Sequence, residues 1–310
     1  MLLYYFCLFI LLSLGSSAVD SFALVPENHH GRSSSSSLLP SSSSTRLGLF
    51  NFGGNSGGKA SIPSTTEARD KAAIESCKKA IGRPRQGDCP LIELEFPVLA
   101  ALNKLGDGSL RSAMEAEDAN LVFVGKLAKG ISSFSLPFGS SGKVSIALSS
   151  SATNSFRSKA DKIAKRSGTA AVLSASSPSL AEDVGSDGVC VFVSPTSRVD
   201  YTAAQKLARS GSAKAVVIVN AFAKDPRSVP GDATMAYFLK PLTYNSQVAG
   251  YLIRSYPSDW TVLDATSKAV LGSFSDKEIL VQGTNTPDLR ASGRMVQKSV
   301  DERAIAARNR

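Results

Sequence analysis

The chain has 310 residues, with 35 basic and 26 acidic side chains, a formal charge of +9 and 43% hydrophobic residues. Both histidines, His29 and His30, stand near its start, so the sequence beyond Thr66 supplies neither Ser-His-Asp nor Cys-His catalysis and no histidine-ligated metal. The positive balance favours anionic partners, but the basic residues are scattered along the sequence. No zinc-finger spacing or aromatic–basic stacking motif accompanies them, which speaks against nucleic acid.

The first element is an address. "LLYYFCLFILLSL", Leu2 to Leu14, is apolar and uncharged. As a helix it spans about 20 Å, short of the roughly 30 Å of a bilayer core, so it reads as the apolar region of a signal peptide over residues 1–21. Cleavage falls between Ser21 and Phe22, with Val19 and Ser21 as the small residues. Residues 22–63 are Ser- and Gly-rich, and from Asn28 to Thr66 the only charged residues are basic ones, Arg32, Arg46 and Lys59, until Glu67. That is transit-peptide composition, too poor in apolar surface to order itself. A signal peptide followed by such a segment resembles the bipartite leader of plastids bounded by extra membranes. The alternative is a secreted protein with a Ser-rich linker. "GGNSGGKA" imitates a phosphate-binding loop, but Ala60 replaces the hydroxyl residue that holds magnesium and no strand precedes it, so it reads as linker.

The remainder, residues 64–285, suits a single α/β domain, followed by a basic helix or tail over 286–310. "STTEARDKAAIESCKKAIG" predicts a helix capped by Ser64 or Thr65 and ended by Gly82, with Ala73, Ile74, Cys77 and Ile81 as its apolar stripe. "LIELEFP", Leu91 to Pro97, alternates as a half-buried strand. A second helix is expected over Ser109 to Lys129, with Met114, Leu121, Val124 and Ala128 on its inner face. From Lys143 apolar runs alternate with helical patterns: "KVSIALS", "NSFRSKADKIAKRSG", "TAAVLSA", "SPSLAEDVG", "VCVFVSP", "RVDYTAAQKLARSG" and "KAVVIVN". Ser177 is the expected cap of the short fourth helix, with Pro178 in its first turn. Short continuous apolar strands separated by helices predict a Rossmann-like, doubly wound, mostly parallel sheet.

In such sheets ligands bind beyond the carboxyl ends of the strands. Those ends carry Ser149 to Ser151, Ser174 to Ser177, Ser194 with Pro195, and Asn220. They form either a hydrogen-bonding pocket for a small ligand or ordinary polar loops. No GxGxxG follows a strand, so no dinucleotide cofactor is expected, and Asp183, Asp187 and Asp200 read as capping residues. Cys77, Cys89 and Cys190 lack CxxC spacing. Cys77 and Cys89 are ordinary thiols or one redox-regulated pair.

After Asn220 the rhythm changes. "MAYFLKPL", "GYLIRSYP", "WTVLDA" and "KAVLGSF" are separated by turns too short for helices, which requires antiparallel pairing. Tyr237, Leu239, Tyr251 and Ile253 alternate with residues of the other face, and Trp260 opens the third strand, where its N–H needs an acceptor. Beyond an aromatic core, this stretch offers docking candidates in Lys240, Tyr244, Arg254, Tyr256 and Trp260, since Arg, Tyr and Trp dominate interface hot spots. The final segment, "LRASGRMVQKSVDERAIAARNR", is helical in pattern. Val296, Val300, Ala304 and Ala307 make only a thin stripe, so any membrane insertion would be weak, and peripheral contact with an anionic membrane is the charge-driven reading.

The blocks "SDGVCVFVSP", "AVVIVNAF" and "MAYFLKPLTYNSQVAGYLIRSYPSDWTVL", in that order, resemble successive blocks of a plastid family, the domain of unknown function nineteen-ninety-five, of the Low PSII Accumulation 3 type. "LIELEFP" and "AEDANLVFVGKL" are similar to its earlier blocks. The family's Asn-Pro after the strand ending at Asn220 is Asn-Ala here. The resemblance spans roughly Ser64 to Phe274. It implies a non-enzymatic factor of the plastid stroma, or of the stromal face of the thylakoid, that helps photosystem II assemble or accumulate. The implied partners are photosystem II subunits or an insertase. It implies no catalytic residue and no cofactor. The competing reading is a small-ligand-binding or enzymatic domain that uses the polar strand ends.

Overall fold

The computed structural model describes residues 60–82, 89–97, 113–133, 143–169, 171–222 and 231–309. The expected signal peptide, the transit-like segment up to Lys59 and the first residues of the second expected helix lie outside them. Helix α1 (Thr66–Ile81) begins where the sequence predicts, with the Thr65 hydroxyl accepting from the Ala68 N–H at 3.1 Å and Gly82 at its end. Then come β1 (Leu91–Glu95), α2 (Ala113–Ser132), β2 (Val144–Leu148), α3 (Asn154–Ser167), β3 (Ala171–Ser174), α4 (Leu180–Val184), β4 (Val189–Val193), α5 (Arg198–Arg209) and β5 (Ala215–Val219). The antiparallel part follows as β6 (Ala233–Tyr244), β7 (Gln247–Ser255), β8 (Trp260–Asp264) and β9 (Val270–Phe274), and the described chain closes with α6 (Asp276–Val281) and α7 (Leu289–Arg308).

The strands form one nine-stranded sheet in the order β3-β2-β4-β5-β1-β6-β7-β8-β9. From β3 to β6 neighbours run parallel, and from β6 to β9 antiparallel. This is the mixed architecture expected: a doubly wound half with an antiparallel extension. Strand β1 differs from its expectation. Leu91, Ile92, Glu93 and Leu94 are all buried, because β1 lies mid-sheet between β5 and β6 and both its faces are covered. The Glu93 carboxylate, read as solvent-facing, accepts instead from the Tyr201 hydroxyl of α5.

Helices α1, α2 and α3 cover one face, packing Cys77, Leu127 and Ala160 on Ile92, Ile146, Val191 and Val217. On the other face α4 and α5 cover the parallel half, with Leu180, Tyr201 and Leu207 on Cys190, Phe192 and Ile218. Ile279 of α6 and Val296 of α7 cover the antiparallel half through Phe238, Leu242, Leu252, Trp260 and Val262. The aromatic stretch is therefore core on both faces: Tyr237, Tyr251 and Ile253 point to the α1–α3 side and Phe238, Leu252 and Trp260 to the α6–α7 side.

Three local expectations change. Met114 is 66% exposed at the opening of α2, while Leu121, Val124 and Ala128 do face inward. Helix α4 starts at Leu180 after Ser179; Ser177 and Pro178 form the preceding turn, in which the Ser177 carbonyl accepts from the Leu180 N–H. Of the C-terminal stripe, Val296 is buried while Ala304 and Ala307 face solvent.

Polar bonds fix α7 to the sheet. The fully buried Asp264 carboxylate accepts from Arg303 and from the Ser299 hydroxyl, as well as from the N–H groups of Thr266 and Ser267. Burial would raise this carboxyl, but those four donors outweigh it and hold it below the usual carboxylate range. Contact between helix and sheet is close at Gly250, where a Cβ would stand 2.5 Å from Val296 Cγ2 and 2.7 Å from the Leu263 carbonyl oxygen. Gly250→Ala should therefore lower unfolding stability by about 1–3 kcal/mol through overpacking, measured by urea denaturation; an unchanged midpoint would mean that α7 can shift away freely.

Candidate functional site

The carboxyl ends of the parallel strands are the place to look for a site. After β2 the chain turns to α3 on one face, and after β4 it turns to α5 on the opposite face, although β2 and β4 are hydrogen-bonded neighbours. The crevice between them is the topological switch point, where doubly wound sheets hold their ligands. Its lining comes from the loop after β2 and the first turn of α5.

That crevice is occupied by the chain itself. Asp200, the third residue of α5, is 1% exposed. Its carboxylate accepts from the Ser149 hydroxyl at 2.6 Å, the Ser197 hydroxyl at 2.7 Å, and both the N–H and the hydroxyl of Ser150 at 3.2 Å. Ser149 Oγ lies 2.9 Å from the hydroxyls of both Ser151 and Thr196, which extends the network. Ser197 also caps α5 by accepting from the Asp200 N–H. Burial would raise the Asp200 carboxyl, but the bonds from Ser149, Ser197 and Ser150 prevail and lower it. The opening turn of a helix favours an anion, and here the anion is internal. Asp200 is thus more than the capping residue its position in the sequence predicts.

A second polar cluster ties β4, β5 and β1 together. The chain leaves β4 through Ser194 at φ 45° and β5 through Asn220 at φ 47°, a left-handed backbone that Asn tolerates better than Ser. Buried Asn120 of α2 bridges them: its Nδ2 donates to Ser194 Oγ at 2.8 Å, and its Oδ1 accepts from Asn220 Nδ2 at 2.7 Å. Asn220 Oδ1 in turn accepts from the Phe96 N–H at 2.8 Å. Ser194 and Asn220, both candidates from sequence, are brought together, with Pro195 beside them. Ser194 and Asn220 join the strand ends through their side chains, and the Pro195 carbonyl accepts from the Phe222 N–H at 3.0 Å.

The remaining candidates lie in the antiparallel half. Arg254 is 2% exposed and its guanidinium forms a two-pronged pair with Asp276 while donating to the Met235 carbonyl at 2.7 Å. Its Cζ lies 5.3 Å from the Trp260 ring centroid and 5.9 Å from that of Tyr256. Trp260 is buried and donates its indole N–H to Asp276 at 3.0 Å. Arg254 and Trp260 are therefore joined in an internal lock around Asp276 rather than presented to a partner. Tyr244 donates to Asp301 of α7 at 3.1 Å. Lys240, Tyr244 and Tyr256 are half-buried.

Sequence reasoning missed Asn120, Glu93 and the role of Asp200. An Asn inside an otherwise apolar helical face and a Glu inside an apolar strand were the available signals, since a buried polar group needs a partner. Two clefts lie at the opposite end of the sheet from Ser194, Pro195 and Asn220, and the larger of them borders Met235 and Asp276, the partners of Arg254 and Trp260. One of about 310 Å³ is bordered by Cys89, Gln205, Arg209 and Asp232, and one of about 570 Å³ by Thr234, Met235, Lys277, Leu280 and Asn285. Among the described residues no three potential metal ligands converge, and no helix is long and apolar enough to cross a membrane. Cys77 and Cys89 face opposite sides of the sheet, which argues against their pairing. Burial pushes the Cys77 thiol up to about 12.

Two measurements check this site. Asp200→Ala should cost about 1–3 kcal/mol by leaving buried donors unpaired. The Asp200 pKa is lowered on folding, so its stabilisation is complete above the ordinary carboxylate value of about 3.9 and fades as pH falls through the folded value. The wild-type protein should accordingly lose stability below about pH 4, and the variant less steeply; parallel acid titrations would contradict the assignment. Cys77 should resist thiol reagents at pH 8 until the protein unfolds, and its labelling in the native state would overturn its placement in the core.

A family model described as a domain of unknown function, DUF1995, matches residues 63–278. No curated protein and no solved structure matches the chain.

Proposed function

The chain belongs to the DUF1995 family, and from that premise we propose that it is a non-enzymatic plastid factor of the Low PSII Accumulation 3 type, which assists photosystem II assembly or accumulation by binding protein partners at the thylakoid. The observation that carries this reading is the self-filled switch point. Where a doubly wound enzyme keeps its ligand, this chain has its own Asp200 carboxylate, saturated by Ser149, Ser150 and Ser197. A rigid scaffold whose ligand crevice is closed acts through its surface. The leader composition supports a plastid address, in the stroma or on the stromal face of the thylakoid. The sequence blocks support photosystem II subunits or an insertase as partners.

Tagged protein purified from plastid membranes at low and moderate salt tests this reading. Photosystem II subunits or an insertase should co-purify. Recovery of neither, together with a metabolite that raises the melting temperature of the purified protein, would replace it with the small-ligand reading.

A further inference from the structure

Basic residues that are scattered in the sequence are gathered by the fold. Helices α1, α2 and α3 lie side by side on one face and run back against the parallel strands, so their last turns share the amino-terminal edge of the sheet. Glycines set the spacing. A Cβ at Gly125 of α2 would stand 2.6 Å from Ile163 of α3, and one at Gly130 would stand 2.8 Å from Ile74 of α1, so all three helices are in close contact.

The last turns carry Lys79 of α1, Lys129 of α2, and Lys162, Lys165 and Arg166 of α3; Lys143, just before β2, lies at the same edge. All six side chains are exposed. The acidic groups nearby are Glu75, bonded to Lys78 at 3.1 Å, exposed Asp161 beside Lys162, and exposed Asp187, two residues before Val189, whose N–H donates to the Lys143 carbonyl. Farther up the same helices Lys126 is paired with Asp70 and Lys159 with Asp118. The opening turns of α1 and α2 are acidic, with Glu67 and Glu115, and Glu117 and Asp118 follow in α2, while that of α3 holds no acidic residue. Each helix dipole adds negative charge at its closing turn, which holds these cations in place. The face is thus polarised along the strand direction.

We infer that this amino-edge face of α1–α3 docks on an anionic lipid surface. Among the described residues the patch consists of five lysines and one arginine, with no aromatic anchor such as protein hot spots require. Among the described residues it also lacks the stacking aromatics of a single-stranded nucleic-acid site. Long exposed cations suit a smeared negative field, in which each contributes independently. The acidic opening turns of α1 and α2 are repelled from the same field, so the protein stands with the carboxyl ends of its parallel strands pointing away from the lipid. The membrane setting comes from the function proposed above, but the choice of face rests on charge placement alone.

The test is the ratio of full-chain partitioning into anionic over neutral vesicles at low salt. The vesicles are phosphatidylcholine with or without about a third phosphatidylglycerol. Contributions of the leader that do not depend on lipid charge cancel in the ratio. Each removed cation should cost roughly fivefold, so K162E/K165E/R166E should lower the ratio by at least tenfold. R294E/K298E, on α7 and the opposite face, should leave it within about twofold. The milder K129Q/K165Q, checked for an unchanged melting temperature, should give an intermediate loss. A wild-type ratio near one, an unchanged ratio in the α3 triple variant, an equal loss in the α7 variant, or stronger binding to RNA than to anionic vesicles at the same salt would each overturn the inference. Loss of the vesicle preference with photosystem partners still co-purifying would remove this face alone. Charge-dependent vesicle binding with no partner recovered would uphold the face and remove only the assembly reading.

Discussion

Strand β1 is hydrogen-bonded along both edges by parallel neighbours, β5 on one side and β6 on the other. It is short, yet it joins the doubly wound half of the sheet to the antiparallel half. Its side chains must therefore satisfy two helical layers. Ile92 and Leu94 serve the α1–α3 face, Leu91 the α5 face, and buried Glu93 accepts there from the Tyr201 hydroxyl. A buried carboxylate without such a donor would oppose the fold. The polar stitching at the end of the strand serves the same junction: Phe96, Asn220, Asn120 and Ser194 form one chain of hydrogen bonds from β1 through β5 to β4.

Polar groups are used inside this protein as fasteners. Asp200 closes the crevice between β2 and β4, Asp264 holds α7, and Asp276 gathers Arg254 and Trp260. Each carboxylate is matched by several donors, which makes Asp200 and Asp264 tolerable at low exposure and ties exposed Asp276 to buried Arg254. A scaffold fastened in this way has its switch-point crevice filled by its own side chains. It supports a reading in which function resides in the outer faces.

Much of the fold was legible because its signals are local. Thr65 and Gly82 bound α1, Gly168 in the left-handed conformation closes α3, and the unbroken runs "VCVFV" and "AVVIV" announced strands covered on both faces. The short turns after β6 announced antiparallel pairing. Insertion of β1 between β5 and β6 was not legible, because that register depends on pairing across more than a hundred residues of sequence. For the same reason "LIELE" looked half-exposed: one Glu inside an apolar strand reads as a solvent face until Tyr201 is placed above it. Of the candidate residues, Ser194 and Asn220 were found from their place after strands, while Arg254 and Trp260 were chosen for residue type, which does not distinguish an interface from an internal lock. The basic face of α1–α3 was invisible because its members are spread from Lys79 to Arg166 and meet only when three helices align.

Helix α7 has one further consequence. The family match ends at residue 278, and α7 begins at Leu289. The helix nevertheless covers Leu252 and Val262 through Val296, and it supplies Arg303 and Ser299 to a carboxylate that has no exposure of its own. A fragment trimmed to the family limits would lose that cover and open a flat greasy sheet face to water, with the outer strand β9 deprived of its support. Such a piece would self-associate through that face, and its poor solubility would say nothing about the behaviour of the whole chain.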